Sequence, residues 1–360
     1  MSPSVRCTSD FSASRSKMVE KNDRHPDNEI SLPHSVGIIY SEVKREYFST
    51  ETQYLTERDA LPGAKVIASY LEQMGIETHL FPGDVGLSEK LQKEKPDMVL
   101  NLVDSIRGNE ALSATIPALL EPLKIPYTGA RFLGESLAHN KFLVKKLLEQ
   151  NDVSVPHYQL FNTPKDDIDG TLRFPLISKL NEIHGAVEIT KDAISESEKH
   201  LRDRLKFLID TYKRPVLVEE FITGREITAI VLEGSITEVY LAEKVFSNLE
   251  EKYIFATFDA QWADSGKASF HYERFKDSQL SEMVKKVFEV TEMADYGKID
   301  IRLDASGKYY FIDCNTNPAF GPKELDCAIA NIFSLYDINF FDILKRLLTK
   351  TSYHKDFCIR

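Results

Sequence analysis

The chain has 360 residues, of which 42% are hydrophobic and 28% are charged, and its formal net charge is −11. These values are typical of a soluble globular protein of two or three domains, and no apolar run reaches the roughly 18 residues of a membrane span. The negative charge argues against broad nucleic-acid binding, which requires a basic surface. We therefore expect neither a membrane nor a nucleic-acid partner.

Residues 1–33 are rich in Ser, Asp, Asn, Lys and Arg and contain no apolar segment of the secretory type. We predict a flexible leader there; a transit peptide is the alternative, which the acidic residues of this segment disfavour. The four cysteines are far apart and show no C-x-x-C spacing, so a reducing, cytoplasmic location is expected.

The first half of the folded chain alternates apolar extended runs with helical patterns. This alternation predicts βαβ units and a parallel sheet flanked by helices within residues 34–135. The predicted strands are 35–40, 77–81 and 98–103, and the predicted helices are 64–74 and 112–123.

The second half changes to a pattern of helices and antiparallel strands. A helix is predicted from Asn140 to about Gln150, and a turn at Gly234 indicates an antiparallel hairpin. The other predicted helices are 193–212, 279–293 and 340–348, and the other predicted strands are 174–179, 215–222, 226–232, 238–241 and a final hairpin at 297–318.

The final hairpin carries the strongest chemical signal. Because side chains alternate along a strand, we predict one charged face with Lys298, Asp300 and Arg302 on the first strand. The corresponding face of the second strand is predicted to carry Tyr309, Phe311, Asp313 and Asn315.

The oxygens of Asp300, Asp313 and Asn315 are hard ligands that suit Mg²⁺, or Mn²⁺ in its place, bound together with the phosphates of a nucleotide. Thiolate or imidazole metals are not indicated. The alternative interpretation is a solvated hairpin face with ordinary surface charges. The polar Asn-Thr-Asn-Pro run that follows the strand favours a site, because such a run shapes a loop at the strand end.

Two further segments fit a nucleotide. The strand that ends in Glu219, Glu220, Phe221 and Ile222 offers an edge that can pair with a purine, and Glu226 returns to the same neighbourhood. A surface turn is the alternative for these glutamates. Lys141 and Lys179 supply the cations that an acidic chain needs near a triphosphate, although Lys141 can equally be a solvated lysine.

Taken in order, these segments resemble the D-alanine:D-alanine ligase branch of the ATP-grasp superfamily. The motifs that carry the resemblance are Ile-Pro-Tyr-Thr-Gly at 125–129, Asn-Lys at 140–141, Phe-Pro-Leu-Ile-Ser-Lys at 174–179, Val-Glu-Glu-Phe-Ile-Thr-Gly-Arg-Glu at 218–226, Asp300 with the Asp-Cys-Asn at 313–315, and Asn-Pro at 317–318.

The resemblance implies an α/β and α+β fold, in which a Rossmann-like N-terminal domain precedes a two-lobed ATP-grasp fold. The implied domains are a Rossmann-like domain at 34–135, a small lobe at 136–225, a large lobe with the metal site at 226–350, and a C-terminal tail at 351–360. The resemblance also allows a homodimer.

The resemblance further implies that ATP contacts Lys141, Lys179, Glu226 and the edge from Glu219 to Ile222, and that Asp300, Asp313 and Asn315 hold Mg²⁺. The implied reaction phosphorylates a carboxylate to an acyl phosphate, which an amine then attacks. By family position Lys298 replaces the arginine at the reacting oxygen, with Arg302 as a second catalytic candidate.

Substrate-binding candidates are Glu42, His184, Gly185, Lys323 and Glu324. The chain departs from the family near the ATP phosphates, where the Gly-Ser-Ser loop is replaced by 182–187 and a loop lysine is replaced by Gln261, a loss for which Lys267 is a candidate substitute. It also departs at the acceptor half, where residues 321–325 replace the loop that receives the second substrate's carboxylate in the family. Glu324 is expected to repel a substrate carboxylate that Lys323 attracts.

These departures favour a ligase that joins an amino-acid-like acid to a small amine or peptide. Two alternatives stay open, namely a D-alanine:D-alanine ligase and an ATP-binding protein of this fold that has lost ligase activity.

Overall fold

The computed structural model describes residues 32–248, 250–262 and 269–354, and the structural statements below refer to these ranges. Residues 1–31 of the predicted leader lie outside them, and so do residues 355–360 of the predicted tail and Lys267. Among the described helices, none combines the length and the apolar character needed to cross a membrane.

The first sheet is parallel and is formed by the apolar runs near the start of the folded chain. Its central strand β1 (Ser35–Tyr40) lies between β2 (Glu77–Pro82) and β3 (Met98–Leu102). Strand β1 is buried because helices cover both faces of the sheet. The helices of this region are α1 (Glu51–Glu57), α2 (Ala60–Gln73), α3 (Leu87–Glu94) and α4 (Thr115–Leu123).

The second sheet is antiparallel, with the order β4-β7-β5-β6. Its strands are β4 (Tyr158–Phe161), β5 (Leu176–Leu180), β6 (Ile194–Ser195) and β7 (Val216–Glu220), and its helices are α5 (Phe132–Ala138), α6 (Lys141–Gln150) and α7 (Glu198–Tyr212). The predicted start of α7 at residue 193 is wrong, because Ile194 and Ser195 pair with β5 and the Ser197 side chain caps the helix by accepting a hydrogen bond from the His200 N–H at 3.3 Å.

The third sheet is antiparallel, with the order β10-β9-β8-β11-β12. Its strands are β8 (Gly224–Leu232), β9 (Glu238–Phe246), β10 (Phe270–Arg274), β11 (Tyr296–Asp304) and β12 (Tyr309–Asn315), and its helices are α8 (Phe258–Trp262), α9 (Ser278–Val290), α10 (Ala328–Leu335) and α11 (Phe340–His354).

One hydrophobic core joins the first and third sheets. Val36 and Ile38 of β1 pack in the same buried cluster as Ile230 of β8 and Leu344 of α11. The carboxyl ends of the parallel strands are thereby held in place beside the large antiparallel sheet, where the predicted metal hairpin lies. The domain boundaries inferred at 135 and 225 stay predictions.

A β-bulge corrects the predicted pattern of the final hairpin. Asp300 pairs with Asp313, but the next residue, Ile301, pairs with Phe311, so that Ile312 is the extra residue. Phe311 therefore packs in the core with Ile301 and is 1% exposed. Its predicted place on the same face as Asp313 is wrong, because the extra residue shifts the alternation by one.

Candidate active site

The three sheets surround one cleft of about 840 Å³. A pocket of this size is typical of small-molecule sites. The predicted site residues that line it are Lys141, Lys179, His184, Gly185, Glu219, Glu220, Phe221, Ile222, Glu226, Lys298, Asp300, Arg302, Asp313, Asn315 and Lys323. Glu42 and Glu324 do not line it: Glu42 accepts a hydrogen bond from the Tyr47 hydroxyl at 3.1 Å, and Glu324 accepts one from the Tyr70 hydroxyl at 2.8 Å.

The hairpin brings the three predicted metal ligands to one wall of the cleft. Asp300 and Asp313 face each other across the strand pair, and Asn315 follows two residues later, opposite Lys298. Burial alone would raise the pKa of Asp313, but the ammonium groups of Lys141, Lys298 and Lys179 hold that pKa below its ordinary value. Asp313 is therefore an ionised, half-buried carboxylate that faces a cavity.

Asp300 is more heavily engaged than Asp313. Its carboxylate accepts a hydrogen bond from the Thr228 hydroxyl at 2.8 Å and pairs with Lys244 at 3.3 Å and with Lys298. Burial alone would raise the pKa of Asp300, but the two lysines hold it well below the ordinary value. Lys244 was not predicted as a site residue, because it follows Glu243 on β9 and the sequence gives no sign that the lysine is buried.

Glu226 and Arg302 form a buried pair next to the predicted purine edge at 219–222. The Arg302 guanidinium binds the Glu226 carboxylate at 3.0 Å and donates to the carbonyls of Ile222, Gly224 and Ile254 at 3.0 to 3.1 Å. Its donors are thus committed to holding this edge in place. The predicted catalytic role of Arg302 at the reacting oxygen does not fit these contacts. Of the two predicted catalytic cations of the hairpin, Lys298 is the one that lies near Asp313.

The predicted purine edge has one backbone donor fewer than the sequence indicated. The Phe221 N–H donates to the Pro175 carbonyl at 2.9 Å, so this group is already satisfied. The Phe221 ring packs edge-on against Tyr253 and Phe255, with ring centroids 5.4 and 5.6 Å apart. An apolar shelf therefore lies beside the remaining backbone groups of the edge.

The predicted phosphate lysines are held in place by neighbouring groups. The Lys141 ammonium donates to the Ile183 carbonyl at 2.7 Å, and burial lowers its pKa. The Lys179 ammonium pairs with Glu219 at 3.1 Å, and Glu219 also pairs with Lys145 at 3.1 Å. Lys145 was missed because its position on an amphipathic helix gave no sign that it is only 3% exposed.

The loop that replaces the family's serines brings His184 into contact with the hairpin. The backbone N–H of His184 donates to the Glu110 carboxylate at 2.7 Å, and the ring Nδ1 of His184 lies 3.2 Å from Asn315 Oδ1. Burial lowers the pKa of His184 well below its ordinary value. The Trp262 indole donates to the Gly185 carbonyl at 2.8 Å, which joins the segment carrying Gln261 to this loop.

A group of acidic residues in the cleft was not predicted. Glu57 at the end of α1, Asp104 and Glu110 after β3, and Glu135 on α5 line it. The sequence gave no way to distinguish them from surface glutamates. The Glu57 carboxylate is 5% exposed and accepts a hydrogen bond from the Ser105 hydroxyl at 2.7 Å. A carboxylate after β1 thus does reach the cleft, but it is Glu57 and not Glu42.

Burial raises the pKa of Glu57 from 4.5 to about 7, helped by the nearby charge of Glu110 and opposed by hydrogen bonds from Ser105 and Ser41. The folded protein therefore holds this proton between pH 4.5 and 7 while the unfolded chain releases it, so Glu57 destabilises the fold increasingly as the pH rises. Replacing Glu57 with glutamine should stabilise the ligand-free protein at pH 8 by about 2 kcal/mol more than at pH 5.5.

Urea unfolding of both proteins at the two pH values measures this difference. Glu89→Gln, which changes an exposed glutamate of α3, controls for the substitution itself. A stability difference that does not change with pH would contradict the raised pKa.

Comparisons with known proteins place this arrangement in context. Residues 147–349 match the family described as D-ala D-ala ligase C-terminus. A protein of Sinorhizobium fredii named "Uncharacterized protein y4sG" is 28% identical over 267 residues, which cover 71% of this chain and 78% of that relative. A D-alanine–D-alanine ligase of Aquifex aeolicus is 27% identical over 271 residues, covering 73% of this chain and 87% of that protein.

The structure is similar to the crystal structure of a D-alanine–D-alanine ligase from Bacillus anthracis in complex with ATP. The TM-score is 0.67 at 18% sequence identity, and the similarity covers 91% of this chain and 99% of that one. The predicted fold, a Rossmann-like domain followed by a two-lobed ATP-grasp fold, is confirmed by this similarity.

Proposed function

Because the chain belongs to the D-ala D-ala ligase C-terminus family, we propose that it is an ATP-dependent carboxylate–amine ligase that forms an amide or peptide bond through an acyl phosphate. The resemblance to this ligase branch found in the sequence is thereby confirmed. The nature of the two substrates and the roles of individual residues belong to the proposal.

One observation carries the proposal. The ionised carboxylate of Asp313, paired across the hairpin with Asp300, faces the same cleft as the ammonium groups of Lys141, Lys179 and Lys298. A triphosphate with a divalent cation needs both kinds of group in one place, with oxygens for the metal and ammonium groups for the phosphates.

The oxygens of Asp300, Asp313 and Asn315 fit Mg²⁺ by their chemistry, and these residues would hold it. When bound, the ion neutralises charge on the phosphates. Lys141 and Lys179 are held by Ile183 and Glu219 in fixed positions, so they are preorganised to bind phosphate oxygens without further ordering. Lys298 lies beside Asp300 and is the group we assign to the oxygen at which charge develops.

In the proposed reaction, a substrate carboxylate oxygen bonds to the γ-phosphorus of ATP and ADP leaves. The nitrogen of the amine then bonds to the acyl carbon, inorganic phosphate leaves, and the amine loses a proton. The protein supplies position and charge compensation and no covalent nucleophile, as is typical of phosphoryl transfer.

The acceptor half of the cleft favours substrates that carry an amine. Glu57 and Asp104 present carboxyl groups in the cleft, and Lys323 presents an ammonium group elsewhere in the same cleft. An amino acid or small peptide offers the matching cation and anion. Lys323 and Glu324 lie in the stretch 321–325 that replaces the family's acceptor loop, so we propose a product other than D-alanyl-D-alanine, with that dipeptide as the alternative.

A hydroxylamine assay tests the reaction without knowledge of the natural amine. Hydroxylamine attacks an acyl phosphate to give a hydroxamate, which forms a coloured iron complex, with one ADP and one phosphate released per product. We expect hydroxamate and ADP in equal amounts with at least one amino acid or dipeptide from a panel that includes D-alanine, each incubated with ATP and Mg²⁺.

Each outcome of the assay discriminates between the alternatives. Stoichiometric dipeptide and phosphate from D-alanine alone would establish the D-alanine:D-alanine ligase activity. Binding of ATP·Mg²⁺ by calorimetry with no ADP release across the whole panel would favour an inactive ATP-binding protein. Absence of ATP·Mg²⁺ binding would overturn the proposal altogether.

A further inference from the structure

Two histidines and a glutamate meet on the wall of the cleft, next to the hairpin. One ligand atom from each of Glu110, His139 and His184 lies within 4.8 Å of the corresponding atoms of the other two. The two imidazole rings are 5.3 Å apart and nearly perpendicular. All three residues line the cleft. The proposed ligase chemistry uses neither histidine as a metal ligand.

In each imidazole ring, one nitrogen lies within hydrogen-bonding distance of a protein oxygen. The Nε2 atom of His139 lies 3.3 Å from the Glu135 carboxylate and 2.6 Å from the Ser113 hydroxyl. Glu135 is itself fixed, since Ser113 and Thr316 each donate to it at 2.8 Å. Because a carboxylate can only accept, His139 Nε2 carries the proton and its Nδ1 keeps the lone pair.

The same reasoning applies to His184 with the two nitrogens exchanged. Its Nδ1 lies 3.2 Å from Asn315 Oδ1, while the Asn315 amide nitrogen donates to Asp313 at 3.4 Å. The amide oxygen therefore faces the histidine and accepts its proton, so the lone pair is on His184 Nε2. Glu110 is oriented by the backbone N–H of His184, which donates to one of its two carboxylate oxygens at 2.7 Å.

The two nitrogens that keep a lone pair are the ones without a partner. His139 Nδ1 and His184 Nε2 are both buried, and neither has a hydrogen-bond partner among the residues that the structure describes. Buried polar atoms are rarely left unsatisfied, because each such atom costs free energy. Two imidazole nitrogens without a partner therefore lie beside the Glu110 carboxylate, and the other nitrogen of each ring contacts an oxygen of the protein. Metal-binding histidines are oriented by an oxygen partner in the same way.

From this geometry we propose that Glu110, His139 and His184 form a second metal site, for a divalent transition metal of the Zn²⁺ class. Two imidazoles and one carboxylate favour such a metal over Mg²⁺, which prefers oxygen ligands only. Three protein ligands leave a position open, and the open side faces the cleft. A carboxylate or amine group of the substrate occupies that position.

Local charge supports a dication at this place. The Lys141 ammonium acts on both Glu110 and His184, and the nearby carboxylates outnumber it. Glu110 and Glu135 contribute two carboxylates in contact with the histidines. An ion bonded at about 2.1 Å holds its ligands closer than 4.8 Å, so binding requires the side chains to approach by under about 1 Å.

Metal binding without nucleotide tests the site. Tag-free, full-length protein is stripped with EDTA and titrated with Zn²⁺ alone, in parallel with His139→Gln, His184→Gln and the control His79→Gln, whose histidine lies on β2. We expect one tight Zn²⁺ per chain in the wild type and in the control, and an affinity weakened at least about 100-fold in each of the other two variants. Thermal unfolding checks that the variants are folded.

Two further measurements keep the test decisive if a variant does not fold. Co²⁺ bound to the wild type should show the visible absorption of nitrogen ligation. Asp313→Asn, which keeps an oxygen acceptor for the Asn315 amide and removes the charge of the hairpin site, should still bind Zn²⁺. An unchanged Zn²⁺ affinity in both histidine variants would overturn the proposal. So would a Co²⁺ spectrum typical of oxygen ligands only, or a loss of Zn²⁺ binding in Asp313→Asn, since the ion would then depend on the hairpin carboxylate.

Discussion

Replacing Asp313 with asparagine should lower ADP release by at least about 10³-fold, because the substitution keeps the shape of the side chain and removes the charge that faces a metal-bound phosphate. Of the two aspartates proposed to hold the metal ion, Asp313 has no ammonium group within salt-bridge distance among the described residues, whereas Asp300 is paired with Lys244 and Lys298. Its charge is thus the one most available for a metal ion.

The measurement is ADP release with the acid found in the hydroxylamine assay, at a series of Mg²⁺ concentrations. Asp304→Asn is the matched control, since Asp304 caps the turn of the same hairpin by accepting from the Ser306 hydroxyl and the Lys308 N–H, away from the cleft. We expect the control to stay within a few-fold of the wild type and the Asp313→Asn defect to lessen at high Mg²⁺. An Asp313→Asn protein that keeps more than about a tenth of the activity would contradict the metal assignment.

Replacing Glu219 with alanine should lower the free energy of unfolding by about 3–5 kcal/mol in the absence of any ligand. The Glu219 side chain is 1% exposed and pairs at 3.1 Å with both Lys145 and Lys179, which are 3% and 13% exposed. Without the carboxylate, two ammonium groups stay in the interior next to each other. Burial already lowers the pKa of Lys145, and the loss of Glu219 adds to the cost of its charge.

Urea unfolding measures the loss, and the neighbouring residue provides the control. Glu220 lies on the same strand and accepts a hydrogen bond from the backbone N–H of Arg173 at 2.8 Å, but it is not fully buried. Glu220→Ala should therefore lower the free energy of unfolding by under about 1 kcal/mol. Adding Lys145→Met to Glu219→Ala should recover part of the stability by removing one unpaired charge. If Glu219→Ala costs no more than Glu220→Ala, the three charges do not act as a buried unit.

Much of the fold follows from local patterns. The alternation of apolar runs and helical spacing predicted β1 to β3, α2 and α4 to within a few residues, because the period of burial is set by the geometry of the element itself. The short helices α1 and α3 were not predicted. The start of α7 was mistaken, since a two-residue strand such as Ile194–Ser195 depends on pairing with β5 and leaves almost no periodic signal. The bulge at Ile312 was also invisible, because a single extra residue changes the faces of β12 without changing its composition.

The residues of the candidate site also fall into two groups, those that the sequence identified and those that it did not. Asp300, Asp313, Lys141 and Lys179 could be selected from the sequence because they are charged residues within or at the ends of apolar elements. Glu57 and Lys145 could not, since each lies on an amphipathic helix among other charged residues, and only the packing of the helix decides which of them is buried.

By itself, the sequence determined the superfamily resemblance, the order of the strands and helices along the chain, and the oxygen-rich hairpin of Asp300, Asp313 and Asn315. These depend on residues near one another in the chain and on motifs in a fixed order. Only the tertiary structure decided that Glu57 and not Glu42 reaches the cleft, and that Arg302 holds an edge in place. It also brought His139 and His184 together from different elements, because contacts between residues far apart in the chain depend on how the sheets pack around the cleft.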